Sequence, residues 1–280
     1  MHVTIESNIR MSPFCNLSKF LGCDFIRYSD QGVLDPLQGS IVLVYQKDFI
    51  NEMIIKFKYL REIFNPTSRK RNHPVPVNAI MSDEELEGDR MNLLNHDQIR
   101  MYQEVVGSIN WLACSTRPEC KFGCFIVARQ LVSPRNWDMY LAIHIIDFII
   151  DTINVPLVLG GPIIDPILYA DASFAPLPDR KSICSHLVLS GSGSGCIYAH
   201  VSAPKCAVTS IFEAELIAGN NAATTAVYIT KACQEMGYDV SNQRTIYIDN
   251  EAEIHWISGS VSNKRSKHVD IRLYASRHLQ

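Results

Sequence analysis

The stretch from Leu141 to Leu168 is the most apolar in the chain, and its placement constrains everything around it. Asp147, Asp151, Gly160, Gly161, Pro162, Asp165 and Pro166 interrupt it. No clean window of about 20 apolar residues is left to cross a bilayer. Within it, Trp137 to Thr152 is apolar on nearly all sides, which predicts a helix buried inside the protein, followed by a strand. The first residues lack the apolar core of a secretion signal. The expectation is a soluble, intracellular protein with no membrane partner. At 280 residues, 47% hydrophobic and 20% charged, the chain has enough apolar material for one large domain or two small ones.

Around that buried helix the periodicity divides the chain in two. Lys19 to Arg27 and Ser40 to Gln46 read as two strands, with a turn at Ser29-Asp30-Gln31-Gly32 and Pro36. Asp48 to Tyr59 has helical spacing at Phe49, Ile50, Met53, Ile54 and Phe57, with Asp48 as the expected N-cap. The basic run Arg69-Lys70-Arg71 among prolines, then the acidic run from Ser82 to Asp89, reads as a solvent-exposed linker. Helices are expected over 97–114 and 118–132, the second opened by Pro118 at its first position. After Pro162 the pattern turns to strands at 167–170, 182–190 and 195–202, a long helix at 212–236, a strand at 245–248, a short helix near 251–257 and a last helix from Lys267. This order predicts a mixed sheet with its main helix packed on one face. Gly191 to Gly195 lies between two strands, so it reads as a hairpin turn rather than a phosphate cradle. Trp111 and Trp256 have helical apolar neighbours and are expected in the core, and His144 as a packed helix residue.

Charge and cysteine usage narrow the chemistry. A net charge of -3 gives no global pull toward nucleic acid, so such contacts must come from local basic patches, of which Lys264, Arg265, Lys267 and His268 form the best. The nine cysteines are scattered without metal-site spacing and read as reduced, partly buried thiols. Three carboxylates stand out instead. Asp171 lies just past the strand Ile167–Ala170, Asp249 ends the strand Ile246–Ile248, and Glu215 sits one turn into the long helix. Glu213, two residues earlier, points elsewhere on a helix, so only one of the pair can face the sheet. If the first and last of these strands are neighbours, the aspartates emerge at one edge, where converging carboxylates bind Mg²⁺. Two such ions about 3.5–4 Å apart can activate water and stabilise a leaving oxygen in phosphodiester hydrolysis. Taken singly, an aspartate at a strand end is more often a turn or cap residue.

Read as a set, the motifs resemble the Ty1/copia-type retrotransposon Pol family. Tyr169-Ala170-Asp171-Ala172-Ser173 with Asp179-Arg180-Lys181-Ser182 is similar to the opening of that family's ribonuclease H domain. Phe212-Glu213-Ala214-Glu215-Leu216 resembles its TEAEY helix start, Tyr247-Ile248-Asp249-Asn250 its YCDN strand, and Lys267 to Arg272 its KHIDIR helix. Upstream, Phe20 to Phe25 resembles the reverse transcriptase primer-grip hairpin and Gln46 to Ile50 the start of the thumb helix. Tyr102 to Ile109 with Thr116-Arg117-Pro118-Glu119 is similar to the family's YRSLVGS…TRPD segment.

The resemblance implies an α/β (α+β) chain, with a ribonuclease H-like mixed sheet preceded by a mostly helical thumb and connection. The expected layout is a hairpin and thumb helix in 1–65, a linker in 66–96, a helical connection in 97–160 and a ribonuclease H-like domain in 161–280. It implies Asp171, Glu215 and Asp249 as ligands of two Mg²⁺ ions, with Mn²⁺ as a substitute, for cleaving RNA in an RNA–DNA hybrid. Glu215 is chosen over Glu213 because it directly precedes the large apolar Leu216. Ser173 and Asn250 would contact substrate or support the ligands. Arg180 and Lys181 would sit near the nucleic acid; by its charge the patch of Lys264, Arg265, Lys267 and His268 would meet hybrid or duplex backbone, with a merely solvated loop as the competing reading. Other parts of a Pol polyprotein are the implied protein partners, in a cytoplasmic virus-like particle or the nucleus.

Three departures accompany the resemblance. Nothing before Phe20 matches the YxDD box that holds polymerase metals, so DNA synthesis is not expected. The chain ends at Gln280 within the KHIDIR-like helix, before the strand and helix that supply a fourth acidic ligand. Asp270 aligns with the preceding helix and is read as a solvent-facing or capping residue. Weak or no cleavage is the resulting expectation. Finally, the helix near Ala142, basic in the family, is apolar and acidic here, which weakens phosphate contact. The rival expectations are a catalytically inactive nucleic-acid-binding protein and a non-functional relic.

Overall fold

The computed structural model describes residues 18–28, 41–65, 70–77, 79–80, 92–160, 166–190, 195–237, 245–251 and 254. At the start of the chain, Leu21 and Gly22 both have left-handed backbones (φ 49° and 76°). Such a pair makes a two-residue hairpin turn whose twist suits the flanking strands. The expected single strand over 19–27 is therefore a hairpin, β1 (Lys19–Phe20) and β2 (Cys23–Tyr28). β2 pairs antiparallel with β3 (Ile41–Tyr45), and β3 with β4 (Leu157–Leu159), which arrives from far along the chain.

Helices α1 (Lys47–Lys56) and α2 (Lys58–Phe64) follow, separated at Phe57. The N-cap of α1 is Gln46, not Asp48 as expected. Asp48 lies in the first turn, where its carboxylate suits the helix dipole, and it pairs with Lys19. Helix α3 (His96–Ser115) opens on a reciprocal capping box between Asn95 and Gln98, at 2.9 and 3.0 Å. Pro118 starts a 3₁₀ turn (Pro118–Cys120) that runs into α4 (Lys121–Ala128), which stops four residues short of the expected end.

Helix α5 (Asn136–Asp151) is the interior helix that the apolar run demanded, with eleven of its sixteen residues buried. Three of those buried residues are polar, Asp138, His144 and Asp147. Asp138 accepts from the Arg135 amide at 2.8 Å, and His144 Nδ1 is left without a hydrogen-bond partner. Asp147 accepts from Arg61 Nε at 2.6 Å and from the Asn65 amide. His144 Nε2 donates to the His73 carbonyl at 3.1 Å, and burial lowers its pKa. Arg117, buried, donates to Glu119 at 2.6 Å, to the Ile149 carbonyl at 3.3 Å and to Thr152, and lies over the Phe148 ring. It ties the 3₁₀ turn to the end of α5. Gly123 on α4 allows close approach: a Cβ there would come within 2.8 Å of Ile145 Cδ1 and 3.0 Å of Val75 Cγ1.

Two expectations change here. The described part of the segment expected as an exposed linker lies along α5. The Arg71 amide donates to Asp151 at 2.7 Å, Ala79 and Leu94 are buried, and Ile80 packs on the core. The acidic run at 81–91 lies outside the described residues. Trp111, expected in the core, is 42% exposed, because Tyr102, Val105, Val106, Ile109, Leu112 and Ala113 already fill the buried face of α3.

The second sheet has the order β7-β6-β5-β8, built from β5 (Ile167–Ser173), β6 (Ile183–Leu189), β7 (Cys196–Ser202) and β8 (Thr245–Tyr247). All neighbours are antiparallel except β5 and β8, which run parallel. One face is covered by α6 (Ile211–Glu235), whose Ala218, Ala222 and Ala226 meet Leu168, Ala170, Cys184 and Val188. The predicted mixed sheet with one main helix on a face is what forms. On the opposite face Ile183 and the loop residue Leu177 join the helical core, with Val201 packed beside them. Gly191–Ser194 lie outside the described residues, but β6 and β7 are hairpin-paired across them. Trp256 and the last expected helix also lie outside. Among the described residues no helix is long and apolar enough to cross a membrane.

Candidate metal centre

Parallel pairing of β5 with β8 brings Tyr169 opposite Tyr247, so two residues further on Asp171 and Asp249 stand at one edge of the sheet. Asp171 is inside β5 rather than just past a strand, because the strand runs on to Ser173. Asp249 follows β8 by two residues. Glu215 comes from the second turn of α6. Its helix is set by Ser210, which caps it by accepting from the Glu213 amide at 3.1 Å. Glu213 turns back and accepts from the Thr209 amide (2.7 Å) and hydroxyl (2.8 Å), so it is committed to the helix start. Glu215 is the glutamate that faces the sheet.

The outcome is a cluster of Asp171, Glu215 and Asp249 in which one ligand atom from each lies within 4.8 Å of the others. The electrostatics are those of crowded anions. Burial, then the charges of Asp171 and Asp249, push the Glu215 carboxyl up to about 7. Burial, then Asp249, raises Asp171. Glu215 is 7% exposed, and its Oε2 has no hydrogen-bond partner. An unpartnered oxygen at that depth is costly unless something else fills its valence. Three carboxylate groups with a spare buried oxygen fit a hard divalent cation such as Mg²⁺ or Mn²⁺. Cys184, beneath the cluster, donates to the Ala214 carbonyl at 3.5 Å, and burial pushes its thiol up to about 12, so it is an inert packing group.

The other sequence-derived candidates fall in different places. Ser173 shares the strand face of Asp171, and both line a cavity of about 300 Å³ with Ser185, Phe122 and Ile80. Ser185 donates to the Asp171 carbonyl at 3.2 Å. Asn250 is half-buried beside Asp249. Arg180 and Lys181 lie on the loop from β5 to β6. Arg180 has a left-handed backbone (φ 56°), and Lys181 is paired with Asp179 at 3.2 Å, which Arg129, just after α4, also holds at 2.8 Å. Lys264, Arg265, Lys267, His268 and Asp270 lie outside the described residues. The sequence reading missed the pairing of Tyr169 with Tyr247 beside the cluster, whose rings stack at 5.0 Å. Its only signal was that each tyrosine stands two residues before an aspartate.

No family model and no solved structure matches the chain. Among curated proteins it is similar to the retrovirus-related Pol polyprotein from transposon TNT 1-94 of Nicotiana tabacum, with 28% identity over 180 residues. That stretch is 64% of this chain and 13% of the polyprotein, so the chain matches about an eighth of that relative's length.

Proposed function

We propose that the Asp171–Glu215–Asp249 cluster is the metal centre of a ribonuclease H-type activity that hydrolyses the RNA strand of RNA–DNA hybrids. The observation that carries this reading is the convergence of three carboxylates from β5, α6 and the end of β8, with a buried glutamate oxygen left without a partner. The order of the motifs and the Pol relative support it. Bound divalent metal would supply a nucleophilic water at neutral pH and charge stabilisation for the leaving oxygen. The protein's own residues hold and orient. Asp171 and Asp249, at one edge of the sheet, fix two ligand positions on rigid backbone. Glu215 completes the set from the helix, and must give up its proton to do so. Ser173 and Asn250 flank the two aspartates and would contact a bound strand.

The test is cleavage of a labelled RNA–DNA hybrid by wild type and Asp249→Asn, with Mg²⁺ or Mn²⁺. The expected result is weak metal-dependent cleavage that is lost in the variant. A folded wild type that cleaves nothing would overturn the nuclease reading. If that protein still bound hybrid in EDTA, the chain would be a binding module.

A further inference from the structure

Tyr169 and Tyr247 sit in register on the parallel strands β5 and β8, with rings 5.0 Å apart and 17° from coplanar. They are 43% and 51% exposed. They do not serve the core. The apolar side chains of β5 that pack against α6 are Leu168 and Ala170, on the other face of the strand. Tyr169, Asp171 and Ser173 alternate onto a single face, and two residues of strand advance about 7 Å. The ring pair is thus about one nucleotide's reach from the carboxylates. Tyr247 is on the outermost strand of this sheet among the described residues, so no described strand flanks its outer side. Beyond Asp171 the same face continues into the cavity lined by Ser173, Ser185 and Phe122.

Resting on the nucleic-acid reading above, we propose that the Tyr169–Tyr247 pair is a stacking platform for one unpaired nucleobase. This base belongs to the nucleotide adjoining the phosphate held at the carboxylates. Two tyrosines already stacked present a flat π-surface with little conformational freedom left to lose, and every base has a π-face to lay on it. A base paired inside a duplex cannot reach such a surface. The preferred ligand is therefore a hybrid with an overhanging or unpaired nucleotide at the site.

The test measures binding of the full chain, by fluorescence anisotropy with Ca²⁺ in place of Mg²⁺. The probes are a blunt RNA–DNA hybrid, one with a single-nucleotide overhang, and one whose overhang is abasic. Wild type is expected to bind the overhang about 10-fold more tightly than the blunt or abasic hybrid, within the range for a base stacked on an aromatic ring. Tyr247→Phe keeps that preference, since stacking does not use the hydroxyl, and shows that position 247 tolerates change. Tyr247→Ala loses it. Wild type that binds all three probes equally, or a folded Tyr247→Ala that keeps the preference, overturns the platform and leaves the metal centre standing. Wild type that binds none of the probes overturns the platform and the nucleic-acid reading together.

Discussion

Glu215 carries the main conflict in the molecule at the level of single residues. Its carboxyl is raised from 4.5 to about 7, first by burial and then by the two aspartates. A folded-state value above the unfolded one means that its contribution is favourable below about 4.5 and is lost as pH rises through about 7. At pH 8 without metal, the ionised group is therefore destabilising, by something on the order of 2 kcal/mol. Glu215→Gln should melt higher than wild type in EDTA at pH 8, by about 4–8 °C, and the gap should close near pH 5. Millimolar Mg²⁺ should reverse the order by stabilising wild type alone. A variant that melts lower than wild type in EDTA at pH 8 would show that the cluster is not a site of charge frustration. His186 has the opposite sign. Buried against Thr225 of α6, to which it is hydrogen-bonded at 2.9 Å, and next to His200, its imidazole is lowered to about 4 by burial first and His200 second. Its stabilisation is present above 6.5 and lost as pH falls toward 4. His186→Gln should flatten the fall in melting temperature across that window, and an unchanged slope would sink the assignment. The choice of Glu215 over Glu213 was legible in the sequence only through the motif. The physical reason, that Glu213 is occupied by Thr209, needs the helix start in three dimensions.

Among the elements, α5 decides the fold, and its sequence was read correctly for shape but not for chemistry. Continuous apolarity required burial, and burial is what occurs. Its acidic residues read as a loss of phosphate contacts, yet Asp147 is an internal anchor for Arg61 of α2 and for Asn65 at that helix's end. Such a partnership spans about eighty residues of sequence and leaves no local trace. The hairpin at Leu21-Gly22 was legible through the motif but not through periodicity: two-residue turns are short, and the flanking pattern reads as one strand. Helix boundaries set by capping chemistry, as at Asn95 and Gln98, were legible within a residue or two. Asp147→Ala should destabilise the protein by about 3 kcal/mol, because it leaves Arg61 without its charge partner and removes the hydrogen bond from the Asn65 side chain. Asp151→Ala, at an exposed position on the same helix, should cost less than about 1 kcal/mol. Urea denaturation of both variants measures the contrast, and equal costs would refute the anchoring role.

For the molecule as a whole, the question is whether the sheet bearing the carboxylates stands alone. The motifs place a boundary near residue 161, and strand order alone would make the later part a self-sufficient unit. Packing argues otherwise. Leu177 and Ile183, at 3% and 5% exposure, belong to the core built by α3, α4 and α5. Arg129, at the C-terminal end of α4, reaches Asp179 on the loop between β5 and β6. Gly195, just before β7, lies so close to β4 that a Cβ would fall 1.4 Å from the Val158 carbonyl oxygen. The two sheets therefore meet backbone to backbone, with no room for a side chain. Separating the parts would return Leu177, Ile183 and part of Val201 to water, at roughly 1.5–3 kcal/mol for each fully buried side chain. That sum is a large share of the 5–15 kcal/mol that ordinarily holds a domain together. The full chain should then unfold in one calorimetric transition, with calorimetric and van't Hoff enthalpies equal. Residues 161–280 expressed alone should melt at least about 10 °C lower, or without cooperativity, and their β6 amides should exchange faster than in the full chain. Two separated transitions in the full chain, with the fragment reproducing one of them, would instead show that the carboxylate site sits on an autonomous domain. Gly195→Ala distinguishes the two cases a second way. If the parts form one cooperative unit, forcing β7 away from β4 lowers the single transition; if they do not, the melting of the carboxylate-bearing part is left where it was.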